Sequence, residues 1–219
     1  MTQLSLADIR LEYGRHGLCP DDCHADPLQQ LQDWLSAAIA AGVNEATAMN
    51  LATVDAEGRP SARIVLLKGI ESGQLCFFTN YLSRKGEQLA SQPFAALTFF
   101  WPELERQVRI EGRISTLPAA ASDAYFASRP YGSRIGAWVS EQSQPVADAE
   151  TLKAREIELK ARFPEQVPRP PHWGGYGLTP DRVEFWQGRP SRLHDRVLYL
   201  PDATSPNGIS SWQLSRLQP

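Results

Sequence analysis

No stretch of the chain approaches the ~18 uninterrupted apolar residues that a membrane-spanning helix needs. The opening residues, MTQLSLADIR, lack the basic-then-apolar order of a signal peptide. A cytoplasmic protein with no membrane partner is therefore expected. Cysteine is scarce, and three residues are too few and too odd in number for a disulfide framework. An excess of positive charge is also missing: 22 Lys and Arg face 25 Asp and Glu, for a net charge of -3. With a pI near 5.8, the balance counts against a general nucleic-acid surface. Any anion the protein binds should be small and held locally. There is no internal repeat and no low-complexity block.

What is present is a 219-residue chain, 42% hydrophobic, enough for one sizeable core. Asp26-Pro27 followed by Leu28, Leu31, Trp34, Leu35 and Ile39 predicts a capped amphipathic helix that Gly42 stops. From Thr47 the texture changes to short β-rich runs, TAMNLATV, SARIVLLK and LCFFTN, separated by turn signals and read as consecutive antiparallel hairpins. Ser83 should cap a short helix to Ala90, and FAALTFFW and RQVRIEGRIST should be two more strands. Pro118 to Ser128 is predicted helical, ending before Arg129-Pro130 because a residue preceding proline is pushed out of the α region. A charged helix is expected from Ala149 to Phe163. The proline-rich connector PEQVPRPPHWGG should then lead to strands at Arg182 to Trp186, Leu193 to Leu200 and Gly208 to Leu217. The fold class expected is mainly β with added helices, an antiparallel barrel. A mobile arm over 1–25 should precede a single domain over 26–219.

The segment HGLCPDDCH places His16, Cys19, Cys23 and His24 within nine residues. All four come from one local stretch, whereas structural zinc usually joins two separated pairs, so no metal is expected. SARIVLLK is apolar on both faces, which predicts cover on each side. Arg63 and Lys68 on it differ by five, so a regular strand would point them to opposite faces. In TNYLSRKGEQ, Arg84-Lys85 fall in the first turn of a helix, against the helix dipole. The conflict disappears if a phosphate docks there, facing free N–H groups, a hydroxyl and two cations. The stretch EFWQGRPSRLHDR brings three arginines, a histidine and an aspartate within eight residues, beside an aromatic.

In order, RIVLLK, FFTNYLSRK, ERQVRIEG, YFASRPYGSRIGAWVSEQS and VEFWQGRPSRLHDR resemble the pyridoxine/pyridoxamine 5'-phosphate oxidase family. That resemblance covers nearly the whole chain and implies an FMN-binding split β-barrel, a homodimer with each flavin held between two subunits. It implies flavin contacts from Arg63, Lys68, Phe78, Thr79, Arg84, Lys85, Gln107, Gln142, Ser143, Trp186 and Arg196. It assigns the substrate phosphate to Lys68, Tyr125, Arg129 and Ser133, the substrate ring to Arg192 and His194 as catalytic residues, and closure over the substrate to Arg10 and Tyr13. Phe78 stands where a tyrosine is common, and Leu11 where the family's arm can carry a second arginine. The implied reaction moves a hydride from C4' of pyridoxamine or pyridoxine 5'-phosphate to FMN. Oxygen then receives both electrons, giving pyridoxal 5'-phosphate and hydrogen peroxide.

Such a site must neutralise two phosphates and a phenolic oxygen, and charge-assisted hydrogen bonds of ~1.5–3 kcal/mol each do so whatever the net charge. A non-catalytic flavin or pyridoxal phosphate carrier is a second class; it would not need Arg192 or His194. A single-strand nucleic-acid binder is a third, against which the acidic pI and the lack of a continuous basic stripe count.

Overall fold

The computed structural model describes residues 13–14, 17–202 and 211–219. Five α-helices and nine β-strands occur among them. In chain order they are α1 (Pro27–Ala40), β1 (Ala48–Val54), β2 (Pro60–Leu66), β3 (Gly69–Glu71), β4 (Gln74–Asn80), α2 (Arg84–Ser91), β5 (Phe94–Trp101), β6 (Arg106–Thr116), α3 (Ala119–Ser128), α4 (Tyr131–Val139), α5 (Ala149–Arg162), β7 (Trp173–Gln187), β8 (Asp195–Pro201) and β9 (Trp212–Arg216). The strands form one sheet in the order β2-β1-β5-β6-β7-β4-β3, with β8 pairing to β7 and β9 to β8. The fold is an antiparallel, mainly β architecture with helices inserted between groups of strands.

Consecutive hairpins were expected from β1 to β4. β1 with β2 and β3 with β4 are indeed antiparallel pairs, but β2 and β3 stand at opposite ends of the sheet order. Just past β2, Lys68 N–H donates to the Cys76 carbonyl on β4 at 2.8 Å, extending the β3–β4 hairpin by one residue. Turn signals mark where a chain reverses, not which strand it will join.

The chain divides into two compact units, residues 1–47, 98–110 and 181–219 in one and 48–97 and 111–180 in the other. The first unit is built on α1. The Asp26 carboxylate caps it by accepting from Leu28 N–H at 2.9 Å, and Gly42, at φ +72°, releases the chain. Leu31, Trp34, Leu35 and Ala38 are buried, whereas Ile39, expected on the same face, is 61% exposed. Trp34 meets Phe185 edge to face at 5.0 Å, and Phe185 meets Tyr199 at 5.6 Å. Residues 17–25 of the expected arm are tied down here. Leu18 is buried, its N–H donates to Asp195 at 3.0 Å, and the Tyr199 hydroxyl donates to the His24 carbonyl at 2.9 Å.

In the second unit, Phe77 stacks on Tyr176 at 5.6 Å, and Phe126, Ile135, Val139, Val167 and Trp173 form a further cluster under which Leu152, Leu159 and Phe163 pack. Strand β7 starts at Trp173, nine residues before the Arg182 predicted for it. The glycines that read as connector are where β7 must run close to its neighbours. A Cβ on Gly174 would stand 2.1 Å from the Tyr81 hydroxyl, and one on Gly175 would stand 2.7 Å from Phe78. The cover expected on both faces of SARIVLLK is not found in this chain, since Ile64 is 64% exposed.

Candidate active site

The N-terminal turn of α2 follows the expected local logic. Ser83 Oγ accepts from Gly86 N–H and donates to the Asn80 carbonyl. Lys85, 9% exposed, turns inward and donates to Thr79 Oγ1 at 3.1 Å, Ser83 Oγ at 3.0 Å and Gln142 Oε1 at 2.6 Å. All three acceptors are neutral. Arg63 likewise has only neutral partners: Leu51 carbonyl, Thr53, Ser61 and Gln88. Burial first, and the Arg63 charge second, push the Lys85 ammonium down to about 8. Burial, with Arg84 nearby, lowers Arg63 as well. Two buried or half-buried cations, with a third beside them, thus lack a carboxylate partner among the described residues.

Lys85 lines a cavity of about 660 Å³ together with Ile64, Lys68, Phe78, Thr79, Tyr125, Arg129, Ser133, Gln142 and Trp173. Phe78, Tyr125 and Trp173 are stacked nearly parallel, with Phe78 and Tyr125 centroids 4.0 Å apart. The Arg129 guanidinium lies 4.7 Å from the Trp173 ring. Its Nη1 is buried with no hydrogen-bond partner, and burial lowers its pKa. Arg129 does not extend α3, as sharing a helix face with Tyr125 would require. It is the extended C-cap residue at ψ 147°, and the reversal it makes into α4 delivers both side chains to one cavity. Helix α4, absent from the sequence reading, supplies Ser133.

Of the remaining expected residues, Tyr13, Gln107, Trp186, Arg192, His194 and Arg196 lie in the other unit. Trp186 and His194 have ring centroids 4.6 Å apart, and Tyr13 approaches them edge-on at 5.7 and 5.8 Å. The Arg189 backbone N–H donates to His194 Nδ1 at 3.2 Å, so the neutral ring carries its proton on Nε2. Burial, then the Arg192 charge, lowers the His194 pKa and favours that neutral form. The strand expected from Leu193 starts two residues later. Ser191 and Arg192 are left-handed at φ +57° and +60°, and β8 begins only at Asp195.

The arginines around this segment are largely answered by carboxylates. Glu184, 3% exposed, receives Arg196 at 2.9 Å and Arg109 at 2.9 Å. Asp195 receives Arg216 at 2.5 Å and Arg189 at 3.4 Å. Arg192 has no carboxylate partner among the described residues. Gln107 is half-buried on β6, and Arg84 and Ser143 are exposed, Ser143 at φ +75°. Arg10, Leu11 and His16 lie outside the described residues.

Sequence reasoning overlooked Trp173 and Glu184. Trp173 sat in a proline-rich stretch read as a connector. Glu184 stood in plain view within VEFWQG, but a lone strand glutamate gives no sign of two arginines arriving from distant segments.

An antiparallel sheet of this order, with a cation-lined cavity beneath inserted helices, defines a protein of the FMN-binding split-barrel class. The pyridoxamine 5'-phosphate oxidase family model matches residues 35–186, and the pyridoxine 5'-phosphate oxidase C-terminal dimerisation region matches residues 173–219. The chain belongs to the pyridoxamine 5'-phosphate oxidase family. It is 62% identical over 216 residues to a pyridoxine/pyridoxamine 5'-phosphate oxidase of Chromobacterium violaceum, covering 99% of both chains. It is 58% identical to one of Bordetella petrii, covering 99% of this chain and 100% of that one. Among solved structures, PhzG from Burkholderia lata, in complex with tetrahydrophenazine-1-carboxylic acid, has a TM-score of 0.85 at 33% identity, covering 92% of this chain and 98% of that one. A pyridoxamine 5'-phosphate oxidase-related, FMN binding protein from Nostoc punctiforme shares the fold, with a TM-score of 0.70 at 20% identity over 89% of this chain and 98% of that one.

Proposed function

We propose that this chain is an FMN-dependent oxidase that converts pyridoxamine or pyridoxine 5'-phosphate to pyridoxal 5'-phosphate, with oxygen as acceptor and hydrogen peroxide as second product. The observation that carries the reading is that buried Lys85 and half-buried Arg129 line one cavity without a carboxylate partner among the described residues, Arg129 Nη1 being buried with no hydrogen-bond partner. A buried cation left without a counter-charge costs several kcal/mol, and an anionic ligand removes that cost. The donor set therefore fits phosphate groups. Lys85, Arg63 and Arg84, with Thr79, Gln142 and Ser143, would hold the flavin phosphate end. Phe78, Gln107, Trp186 and Arg196 are its further contacts. Lys68, which lines the same cavity, is assigned to flavin and substrate alike. Lys68, Arg129, Tyr125 and Ser133 would hold the substrate phosphate. FMN, when bound, supplies the redox chemistry, accepting a hydride from the substrate carbon and passing two electrons to oxygen.

The chain's own residues bind and orient. Neutral His194 presents Nε2–H as a donor to the phenolic oxygen of the substrate ring, and Arg192 adds an unpaired positive charge beside it. Both would hold that oxygen in place and so orient the substrate carbon for hydride loss. His194 Nδ1 is occupied by the Arg189 N–H, so that nitrogen is not the base, and the proton lost with the hydride passes to water or flavin. Tyr13 packs against Trp186 and His194 and with Arg10 would close over the substrate. The C-terminal dimerisation match supports a homodimer, between whose subunits the flavin would be shared. No helix among the described residues is long and apolar enough to cross a membrane, and the cytoplasm is the proposed compartment.

The visible spectrum of the purified protein, followed by peroxide release with each phosphorylated substrate, tests the reading. Yellow protein and peroxide from either substrate is the expected result. A protein that stays colourless with added FMN, or a flavin-loaded protein that releases no peroxide, would contradict it.

A further inference from the structure

Cys19 and Cys23 flank a single 3-10 turn, Pro20–Asp22, and have no role in the site described above. Asp22 N–H donates to the Cys19 carbonyl at 3.1 Å and Cys23 N–H to the Pro20 carbonyl at 3.2 Å. The turn folds the second cysteine back over the first, so that Cys23 Sγ donates to the Cys19 carbonyl oxygen at 3.2 Å. Both thiols are free and half-buried, whereas Cys76 is free but buried. The turn is held in place, because Leu18 N–H donates to Asp195 and Arg216 donates to the Leu18 carbonyl at 3.2 Å.

The two sulfurs have unlike surroundings. The Cys19 sulfur has the Arg216 guanidinium and the Asp21 carboxylate beside it, the latter at 3.9 Å, while Cys23 Sγ is engaged with the Cys19 carbonyl. Burial pushes the Cys23 thiol up, so it stays protonated longer. The bonded, protonated Cys23 is the less ready to attack, which leaves Cys19 to react first and Cys23 to resolve.

We infer that Cys19 and Cys23 are a peroxide-reactive dithiol that closes to an intramolecular disulfide across the Pro20–Asp22 turn. The Cys19 thiolate attacks one oxygen of hydrogen peroxide and the O–O bond breaks. Cys19 becomes a sulfenic acid, and the departing hydroxide takes up a proton to leave as water. Cys23 then loses its proton, its sulfur bonds to that of Cys19, and the S–O bond breaks to release a second water. Two thiols are oxidised and one peroxide is reduced, with no other reagent. In a reducing compartment such a bond is transient, as redox-sensing disulfides are. The inference does not rest on the proposed oxidase activity, since the peroxide can simply be added, although that activity would release the same oxidant.

The test uses the reduced full chain, with thiols counted by a chromogenic reagent and intact mass measured before and after stoichiometric hydrogen peroxide. Free thiols should fall from three to one, the mass should fall by two hydrogen atoms, and dithiothreitol should restore both. Cys23→Ser should instead gain oxygen on Cys19, and Cys19→Ser should keep both of its thiols. Three thiols surviving in the wild type, oxygen adducts without loss of hydrogen, a disulfide-linked dimer, or Cys76 in the bridge would each overturn the inference.

Discussion

The arginines near Glu184 and Asp195 and the cations of the cavity are equally basic on paper, yet they stand in opposite electrostatic states. Around β7 and β8, Arg109, Arg196, Arg189 and Arg216 are each matched to a carboxylate. By contrast, Lys85 and Arg129 of the cavity, and Arg63 outside its lining, have only neutral acceptors, a ring face or nothing. A count of positive residues cannot separate these cases, whereas the pairing can. The first set holds structure together; the second waits for an anion. Arg192 belongs with the second set in pairing though not in position, and its left-handed backbone is a strain of the kind that collects at functional sites.

The largest effect should come from breaking the paired set. Glu184→Ala strands two arginines on one nearly buried position and should cost about 3 kcal/mol, read as a lower urea midpoint at unchanged slope. A loss below about 0.5 kcal/mol would mean the pairs are worth no more than exposed ones. Next, Arg192→Ala should keep FMN and lose about 100-fold in kcat/KM, about 2.7 kcal/mol, while Arg196→Ala, which removes an ion pair and a proposed flavin contact, should lower stability and FMN affinity. The reverse pattern in steady-state peroxide release and melting would dissolve the distinction between the two arginines.

A smaller loss, about 10- to 100-fold in FMN affinity, should follow Lys85→Met, since one charge-assisted bond is worth ~1.5–3 kcal/mol. The flavin-free variant should melt no lower than wild type, because a buried charge without a counter-charge has been removed. Flavin fluorescence titration and a melting curve read the two halves separately.

The smallest effect is one of pH. The folded Lys85 sits at about 8, below its unfolded 10.5, so between those values the unfolded chain binds more protons. Flavin-free stability should therefore rise with pH from about 8 towards 10.5, with the full penalty present below 8. Phosphate binds the protonated form, so FMN affinity should fall as pH rises above about 8. A flat affinity profile from pH 7 to 9.5 would remove Lys85 from the anion site.

Local chemistry was legible where it acts locally. The Asp26 cap, the Ser83 cap and the stop before Arg129-Pro130 appear at the expected residues, and β5 and β6 match FAALTFFW and RQVRIEGRIST end to end. What escaped depends on distant partners. The start of β7 hides in glycines that make room for Tyr81 and Phe78, and Pro180 within it reads as a strand breaker. Helix α4 carries Gly132 and Gly136, which weaken any local helical signal. The place of β2 in the sheet depends on β1, not on the hairpins that follow it. At the site, the basic residues were visible as residues, but their state was not. Only coordinates separate an Arg196 held by Glu184 from an Arg129 with a buried, partnerless Nη1.

The central claim is that the unpaired cations of the cavity exist to hold phosphate. The most direct measurement is the affinity of the flavin-free protein for FMN beside that for riboflavin, which differs by the phosphate alone, in wild type and in Lys85→Met. The account predicts that wild type prefers FMN by on the order of 100-fold or more, about 2.7 kcal/mol, and that the preference shrinks in the variant. Equal affinity for the two flavins, or a preference that survives Lys85→Met intact, would contradict it.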